Sequence, residues 1–224
     1  MQRTGIKFCG LTRREDIDAA LDAGADYLGL VMAEDSPRYV TIATASELAR
    51  HIRASGVPAQ LVVLFRDASR AYVDEAIERV VPDILQFHGS ETESTCAVHR
   101  RPYWKAVGMQ GGDAPVDWNV FATASALLLD AHGKGAAGGT GEVFDWSQWP
   151  CIDRRLVLAG GLHPDNVAEA IRATRPYAVD VSSGIESRPG LKDPGKMRAF
   201  VAAVRAADPA STGNGKVAAA AGPD

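Results

Sequence analysis

The sequence predicts a single α/β domain, a closed (β/α)8 barrel, and three observations carry that prediction. Short apolar runs of strand length alternate with helical patterns eight times along 224 residues, the order expected of a parallel sheet with right-handed crossovers. Several helices enter the next strand through similar joints, Gly24-Ala25-Asp26, Val81-Pro82-Asp83 and Arg175-Pro176-Tyr177, which is the internal periodicity of a repeated strand-helix unit. The length also falls in the range of about 200–250 residues over which such barrels form one unit. An open doubly wound sheet is the competing architecture, disfavoured because no Gly-x-Gly-x-x-Gly follows the first strand.

The first strand spans residues 4–9. Its alternation sends Lys7 and Cys9 to one face and Ile6 and Phe8 to the other. Gly10 ends the run, and a helix over 14–23 follows, with acids early and Gly24 as its stop. Residues 26–32 are almost continuously apolar, the pattern of a strand buried on both faces. Helix 44–54 then precedes strand 60–65, helix 69–80 precedes strand 84–87, and a weaker helix over 91–99 precedes strand 103–107. A poorly patterned segment at 116–123 leads to strand 126–130 and a glycine-rich loop. Strand 156–159 with helix 164–173, and strand 178–181 with helix 194–206, complete the set. From residue 207 the chain turns to Ala, Gly, Pro, Ser and Asn without periodicity, so the barrel is placed at 1–206 and a flexible tail at 207–224.

Composition narrows the partners. A net charge of −4 with dispersed Lys and Arg argues against a nucleic-acid surface and for a small-molecule substrate. No run approaches the roughly 18 apolar residues of a membrane span, and no signal-type stretch opens the chain. Cys9, Cys96 and Cys151 are odd in number and widely spaced, which suits neither a disulfide framework nor a zinc site. A cytoplasmic, reducing location is expected. No histidine stands at metal-ligand spacing with Cys or acids, so no metal and no cofactor is implied.

Catalytic groups of a barrel come from the carboxyl ends of its strands. There stand Cys9, Arg38 in the second loop, His88, Asp130, the loop Gly138-Gly139-Thr140-Gly141, Gly160-Gly161 and Ser182-Ser183-Gly184. Glycines and serines in the seventh and eighth loops present backbone amides to a phosphate; each group alone reads equally as a tight turn, and their pairing favours phosphate. Asp130 ends its strand beside Leu128 and is a candidate acid or base, against a capping or salt-bridged aspartate. Arg38 follows Ser36-Pro37 and offers a fork for a carboxylate, although residue type alone favours a solvated surface arginine. His88 reads as catalytic or as bonded to a neighbouring strand's backbone. Cys9, by type alone, is a small buried hydrophobe. Lys7, one alternation before it, places an ammonium beside the thiol, and Asp180 on the strand that closes the barrel is positioned to pair with Lys7.

Together these motifs resemble the phosphoribosylanthranilate isomerases of tryptophan biosynthesis. The resemblance runs over about residues 4–205, through Lys7-Phe8-Cys9-Gly10-Leu11-Thr12, Ser36-Pro37-Arg38-Tyr39-Val40, Gln86-Phe87-His88-Gly89 and Leu128-Leu129-Asp130. It continues through Gly138-Gly139-Thr140-Gly141, Leu158-Ala159-Gly160-Gly161-Leu162 and Asp180-Val181-Ser182-Ser183-Gly184-Ile185-Glu186. It implies a general base at Cys9, a general acid at Asp130 and a ligand for the anthranilate carboxylate at Arg38. Lys7, His88, Gly139 and Asp180 fall around the substrate, and Gly160, Gly161, Ser183 and Gly184 around its phosphate. The implied reaction is an Amadori rearrangement of N-(5-phosphoribosyl)anthranilate, by a monomer or homodimer. A histidine-pathway or dual-specificity sugar-phosphate isomerase competes with this reading, but such barrels usually carry an aspartate where Cys9 stands. A non-catalytic phosphate-metabolite sensor is the other alternative, opposed by the joint presence of Cys9, Arg38 and Asp130. Members often have an aromatic residue at Met32-Ala33, Asn at Arg66 and Leu at Phe87, departures expected at the pocket wall.

Overall fold

A computed structural model describes residues 3–110, 117–133 and 145–208. Its eight parallel strands close in sequence order, β1 (Gly5–Cys9), β2 (Tyr27–Val31), β3 (Gln60–Phe65), β4 (Ile84–Phe87), β5 (Tyr103–Gln110), β6 (Ala126–Gly133), β7 (Leu156–Leu158) and β8 (Ala178–Val181). The seam pairs β1 with β8 in a register that sets Lys7 beside Asp180. The helices are α1 (Arg14–Ala23), α2 (Ile42–Ala54), α3 (Arg70–Val80), α4 (Glu93–Ala97), α5 (Val167–Thr174) and α6 (Pro194–Ala207). Among the described residues no helix is long and apolar enough to cross a membrane.

Among the described residues the eightfold strand-helix alternation is not seen in full on its helical side: after β5 residues 117–123 form turns, and before β7 the described residues hold a 3-10 turn, Trp146–Gln148. The sequence explains both. The stretch Trp118-Asn119-Val120-Phe121 lacks an apolar stripe at helical spacing, and Trp146 is soon followed by Pro150, which a helix interior rejects. An antiparallel ribbon, β9 (Glu186–Arg188) with β10 (Leu191–Lys192), was not expected; it folds between β8 and α6.

Strand alternation sorts the core into two layers. Ile6 and Phe8 point outward, Phe8 meeting Phe200 of α6 edge-on at 6.1 Å between ring centres. Lys7 and Cys9 point into the barrel, as the pattern of β1 requires. Lower in the interior, Tyr27 and Trp104 pack at 4.9 Å among Val62, Ile84, Ala126, Leu128 and Val157. Tyr27 also bonds the Tyr177 hydroxyl at 2.8 Å, and Arg155 lies over the Tyr177 ring. This set floors the barrel.

The repeated joints have a common geometry. Gly24, Val81 and Arg175 each end a helix in the left-handed region, with φ of 88°, 54° and 48°. Two residues on, Asp26 and Asp83 accept the N–H of Ile6 and of Leu61 at 2.9 and 2.7 Å, so each strand entry is stitched to the strand before it. At the seam, Asp208 accepts the Thr4 amide at 2.9 Å and Arg205 donates to the Thr4 carbonyl at 2.7 Å. Helix starts are capped in the ordinary way by Thr41, Ser69, Thr92 and Asp193, each worth about 1 kcal/mol.

Candidate active site

The mouth at the strands' carboxyl ends opens on a cleft of about 850 Å3. Around it, in barrel order, stand Asp130 on β6, the loops after β7 and β8, Cys9 on β1 and Arg38 after β2. The loops expected to hold phosphate therefore lie between the acid and the thiol.

Room for the thiol comes from Gly29 on β2. A Cβ there would approach Cys9 Sγ to 3.1 Å and Lys7 Nζ to 3.2 Å. Lys7 is fully buried and donates to Asp180 Oδ1 at 2.8 Å. Burial works against its ammonium, yet Asp180 and the Cys9 sulfur outweigh burial and hold Lys7 above the ordinary lysine range. Burial pushes the Cys9 thiol up, and Lys7 offsets this only in part because Asp180 opposes it. The expected pairing of Asp180 with Lys7 is present, and it blunts the ammonium's influence.

Asp130 is buried to 7 % relative exposure. The imidazole of His88 approaches it, with Nε2 3.5 Å from Oδ2. Gln86, inside the barrel on β4, donates from Nε2 to His88 Nδ1 at 3.3 Å. Assigning that donor leaves the imidazole proton on Nε2, directed at Asp130. The His88 ring thus serves Asp130 rather than a neighbouring strand's backbone. Its loop is braced by two residues the sequence reading passed over: buried Glu91 accepts the Gly89 and Asp67 amides at 2.8 Å each, and Lys105 bonds Glu91 at 2.9 Å and the Gly89 carbonyl at 2.6 Å. Burial works against the Glu91 carboxylate, but Lys105 and the backbone amides of Asp67 and Glu91 itself hold it below the usual range.

Arg38 is engaged within the protein on one side. Its fork, read as open to a substrate carboxylate, is occupied on one side by Glu186, with Nε to Oε1 at 2.7 Å and Nη2 to Oε2 at 2.8 Å. Far from being a solvated arginine, it is buried and lines the cleft. A guanidinium has a second edge, Nη1 with the other Nη2 proton, and that edge bonds no described residue. Gly10 makes this seat possible: its φ is 75°, and a Cβ there would lie 2.4 Å from Arg38 Cδ.

The seventh and eighth loops are pressed together. A Cβ on Gly184 would fall 1.9 Å from the Leu162 carbonyl oxygen, so only glycine fits there. Gly160 and Gly161 turn with φ of 86° and 61°. The amides of Gly160, Gly161, Ser183 and Gly184 donate to no acceptor among the described residues. Three of these residues, Gly160, Gly161 and Ser183, line the cleft, and a cluster of such donors is suited to an anion. Gly139 and its neighbours Gly138, Thr140 and Gly141 lie outside the described residues. Of the departures noted above, Ala33 and Arg66 line the cleft, and Arg66 pairs across it with Asp35. Met32 and Phe87 do not: both face the helices, Phe87 packing on Phe65, His99 and Tyr103.

Fold and site define a (β/α)8 barrel with a buried carboxylate, a buried thiol and a group of unbonded backbone amides at one mouth. Comparison with known proteins specifies the class. Residues 6–203 match the family model described as N-(5'phosphoribosyl)anthranilate (PRA) isomerase. An N-(5'-phosphoribosyl)anthranilate isomerase of Thiobacillus denitrificans is 46% identical over 203 residues, covering 90% of this chain and 98% of its own. That of Leptothrix cholodnii is 48% identical over 208 residues, covering 92% and 93%. Among solved structures, TrpF from Jonesia denitrificans superposes with a TM-score of 0.77 at 36% identity, over 91% of this chain and 98% of its own. The phosphoribosyl anthranilate isomerase of Thermotoga maritima gives 0.76 at 32%, over 91% and 99%. The chain belongs to the N-(5'-phosphoribosyl)anthranilate isomerase family.

Proposed function

We propose that the two walls of the mouth divide an Amadori rearrangement between them, Asp130 acting as general acid and Cys9 as general base. The enzyme is an isomerase of tryptophan biosynthesis, converting N-(5-phosphoribosyl)anthranilate to 1-(2-carboxyphenylamino)-1-deoxyribulose 5-phosphate. In this reading the phosphate rests on the amides of Gly160, Gly161, Ser183 and Gly184. The aryl carboxylate meets the second edge of Arg38. A substrate held at both ends is presented with Asp130 on one side and Cys9 on the other, which supplies the orientation that such a two-site proton transfer needs. Protonation of the ribose ring oxygen by Asp130 breaks the C1–O bond and gives an iminium. Removal of the C2 proton by Cys9 gives an enolamine, which tautomerises to the ketose. His88 Nε2–H faces the Asp130 carboxylate left after the first step and stabilises it. Asp180, through Lys7, leaves an ammonium beside the sulfur when Cys9 ionises.

The observation that carries this assignment is the barrel order: the four amides lie in the loops after β7 and β8, the two strands between those of Asp130 and Cys9. Cys9→Ala and Asp130→Asn are each expected to lower kcat by about 10²-fold or more, followed as loss of phosphoribosylanthranilate fluorescence, with unchanged circular dichroism. Near wild-type kcat in either variant removes that residue from the role given it.

The same reading extends to setting. Cys9, Cys96 and Cys151 are all free thiols, which supports a cytoplasmic location. One catalytic domain over 1–206 with a tail at 207–224 is kept as the domain plan, and a monomer or homodimer as the assembly; one Thermotoga maritima relative is described as dimeric.

A further inference from the structure

Glu186 falls within a motif that the sequence analysis quoted without giving this residue a task. It is 6 % exposed, holds Arg38 by the paired bonds described above, and accepts from Lys192 Nζ at 2.8 Å. Lys192, also buried, donates besides to the Ser182 carbonyl at 3.1 Å, and Ser182 Oγ donates to the carbonyl of Cys9 at 3.0 Å. The backbone of Glu186 is fixed too, its carbonyl accepting from Lys196 of α6 at 2.7 Å. The ribbon β9–β10 is seated against the second loop, where a Cβ on Gly190 would lie 2.9 Å from the Pro37 carbonyl. It is tied to the loop after β1 by Thr12 Oγ1, which donates to the Gly190 carbonyl at 3.0 Å.

We propose that Glu186 is a positioning residue that holds Arg38 ready for the substrate's aryl carboxylate, with Lys192 keeping the cluster cationic. This rests on the assignment of that carboxylate to Arg38. An arginine side chain has several rotatable bonds, and ordering it at the moment of binding weakens affinity. Glu186 orders it beforehand by occupying the Nε/Nη2 edge, so that only the other edge remains for a ligand. A lone Arg38–Glu186 pair is neutral and a poor attractor of anions. The ammonium of Lys192 restores a net charge of about +1 to the three groups. Glu186 is also three residues from Ser183 and two from Gly184. One short loop therefore carries part of the phosphate cradle and the clamp on the carboxylate's arginine. The spacing of the two anchors is set within that loop, which selects substrates by the separation of their two anionic ends.

The test compares a two-anchor ligand with a one-anchor ligand, namely KM for phosphoribosylanthranilate and Ki for ribose 5-phosphate, which lacks the carboxylate. In Glu186→Gln, KM is expected to rise at least tenfold with a smaller change in kcat, while Ki for ribose 5-phosphate stays within twofold. Glu186→Asp, which keeps the charge, recovers part of the KM. Because Glu186→Gln leaves Lys192 buried without its anion, the double variant Glu186→Gln/Lys192→Met is measured alongside; Arg38 there is charged but unclamped, and KM is again expected to rise at least tenfold. An unchanged KM in both variants overturns the proposal, as does an equal rise in Ki for ribose 5-phosphate, which would mark a collapsed loop. Arg38→Met separates the two layers of the argument. If its KM is unchanged, the carboxylate assignment itself fails; if its KM rises while the Glu186 variants do not respond, only the positioning role fails.

Discussion

The two ends of this barrel are built on opposite terms. At the floor, Tyr27 and Trp104 pack edge-on in the interior and the Tyr27 hydroxyl pairs with that of Tyr177 at 2.8 Å. At the mouth, four backbone amides of the seventh and eighth loops and one edge of Arg38 have no described partner. The floor gains from satisfied contacts and close packing. The mouth leaves polar groups without described partners and sets buried ion pairs beside them, Lys7–Asp180, Arg38–Glu186–Lys192 and Lys105–Glu91, an arrangement that the proposed function explains. Stability and function are thus separable along the barrel axis, and substitutions at either end break or sharpen the distinction.

The largest effect is expected at the floor. Trp104→Ala empties the centre of the lower layer and is expected to cost about 3–5 kcal/mol of unfolding free energy, read by denaturant titration, with kcat of the folded protein within twofold of wild type. A comparable loss of kcat would show that the ends are coupled. The next concerns the mouth and pH. Burial raises the Cys9 pKa, and a base must be deprotonated to act. Across the neutral range the thiolate fraction grows about tenfold per pH unit, equivalent to about 1.4 kcal/mol, so kcat/KM is expected to climb with pH until the thiol ionises. Cys9→Asp, a carboxylate already ionised there, is expected to lose that climb. A flat wild-type profile counts against the thiol as base. The smallest effect returns to the floor: Tyr177→Phe removes one partner of the hydroxyl pair and is expected to cost about 1 kcal/mol without altering kcat/KM.

Much of this was legible in the sequence because it depends on periodicity and on strand ends. Alternation in β1 fixes where Lys7 and Cys9 point, and the repeated joints carry the left-handed turns that close each unit. Asp130 and the seventh- and eighth-loop glycines stand where barrel geometry exposes functional groups. Glu186, Lys192, Glu91 and Lys105 were not legible. Charged residues usually face solvent, and no local pattern distinguishes the few that are buried in pairs formed between separate segments. Nor does sequence reveal which edge of Arg38 is free, since that is decided by a carboxylate 148 residues away. The turns at 117–123 and the short 3-10 turn at Trp146–Gln148 were foreshadowed only by weak patterning, which length and alternation had outweighed.

The seam between β1 and β8 has a consequence for the order of events during synthesis. Lys7 and its anion Asp180 are 173 residues apart. At about 5–20 residues per second, roughly 9–35 s separate the emergence of the lysine from that of its counterion. Through that interval the strand bearing Lys7 and Cys9 has an open edge and an unpaired cation, which water must solvate. The first strand made is therefore among the last to be finished, and its thiol acquires its native surroundings only when the barrel shuts.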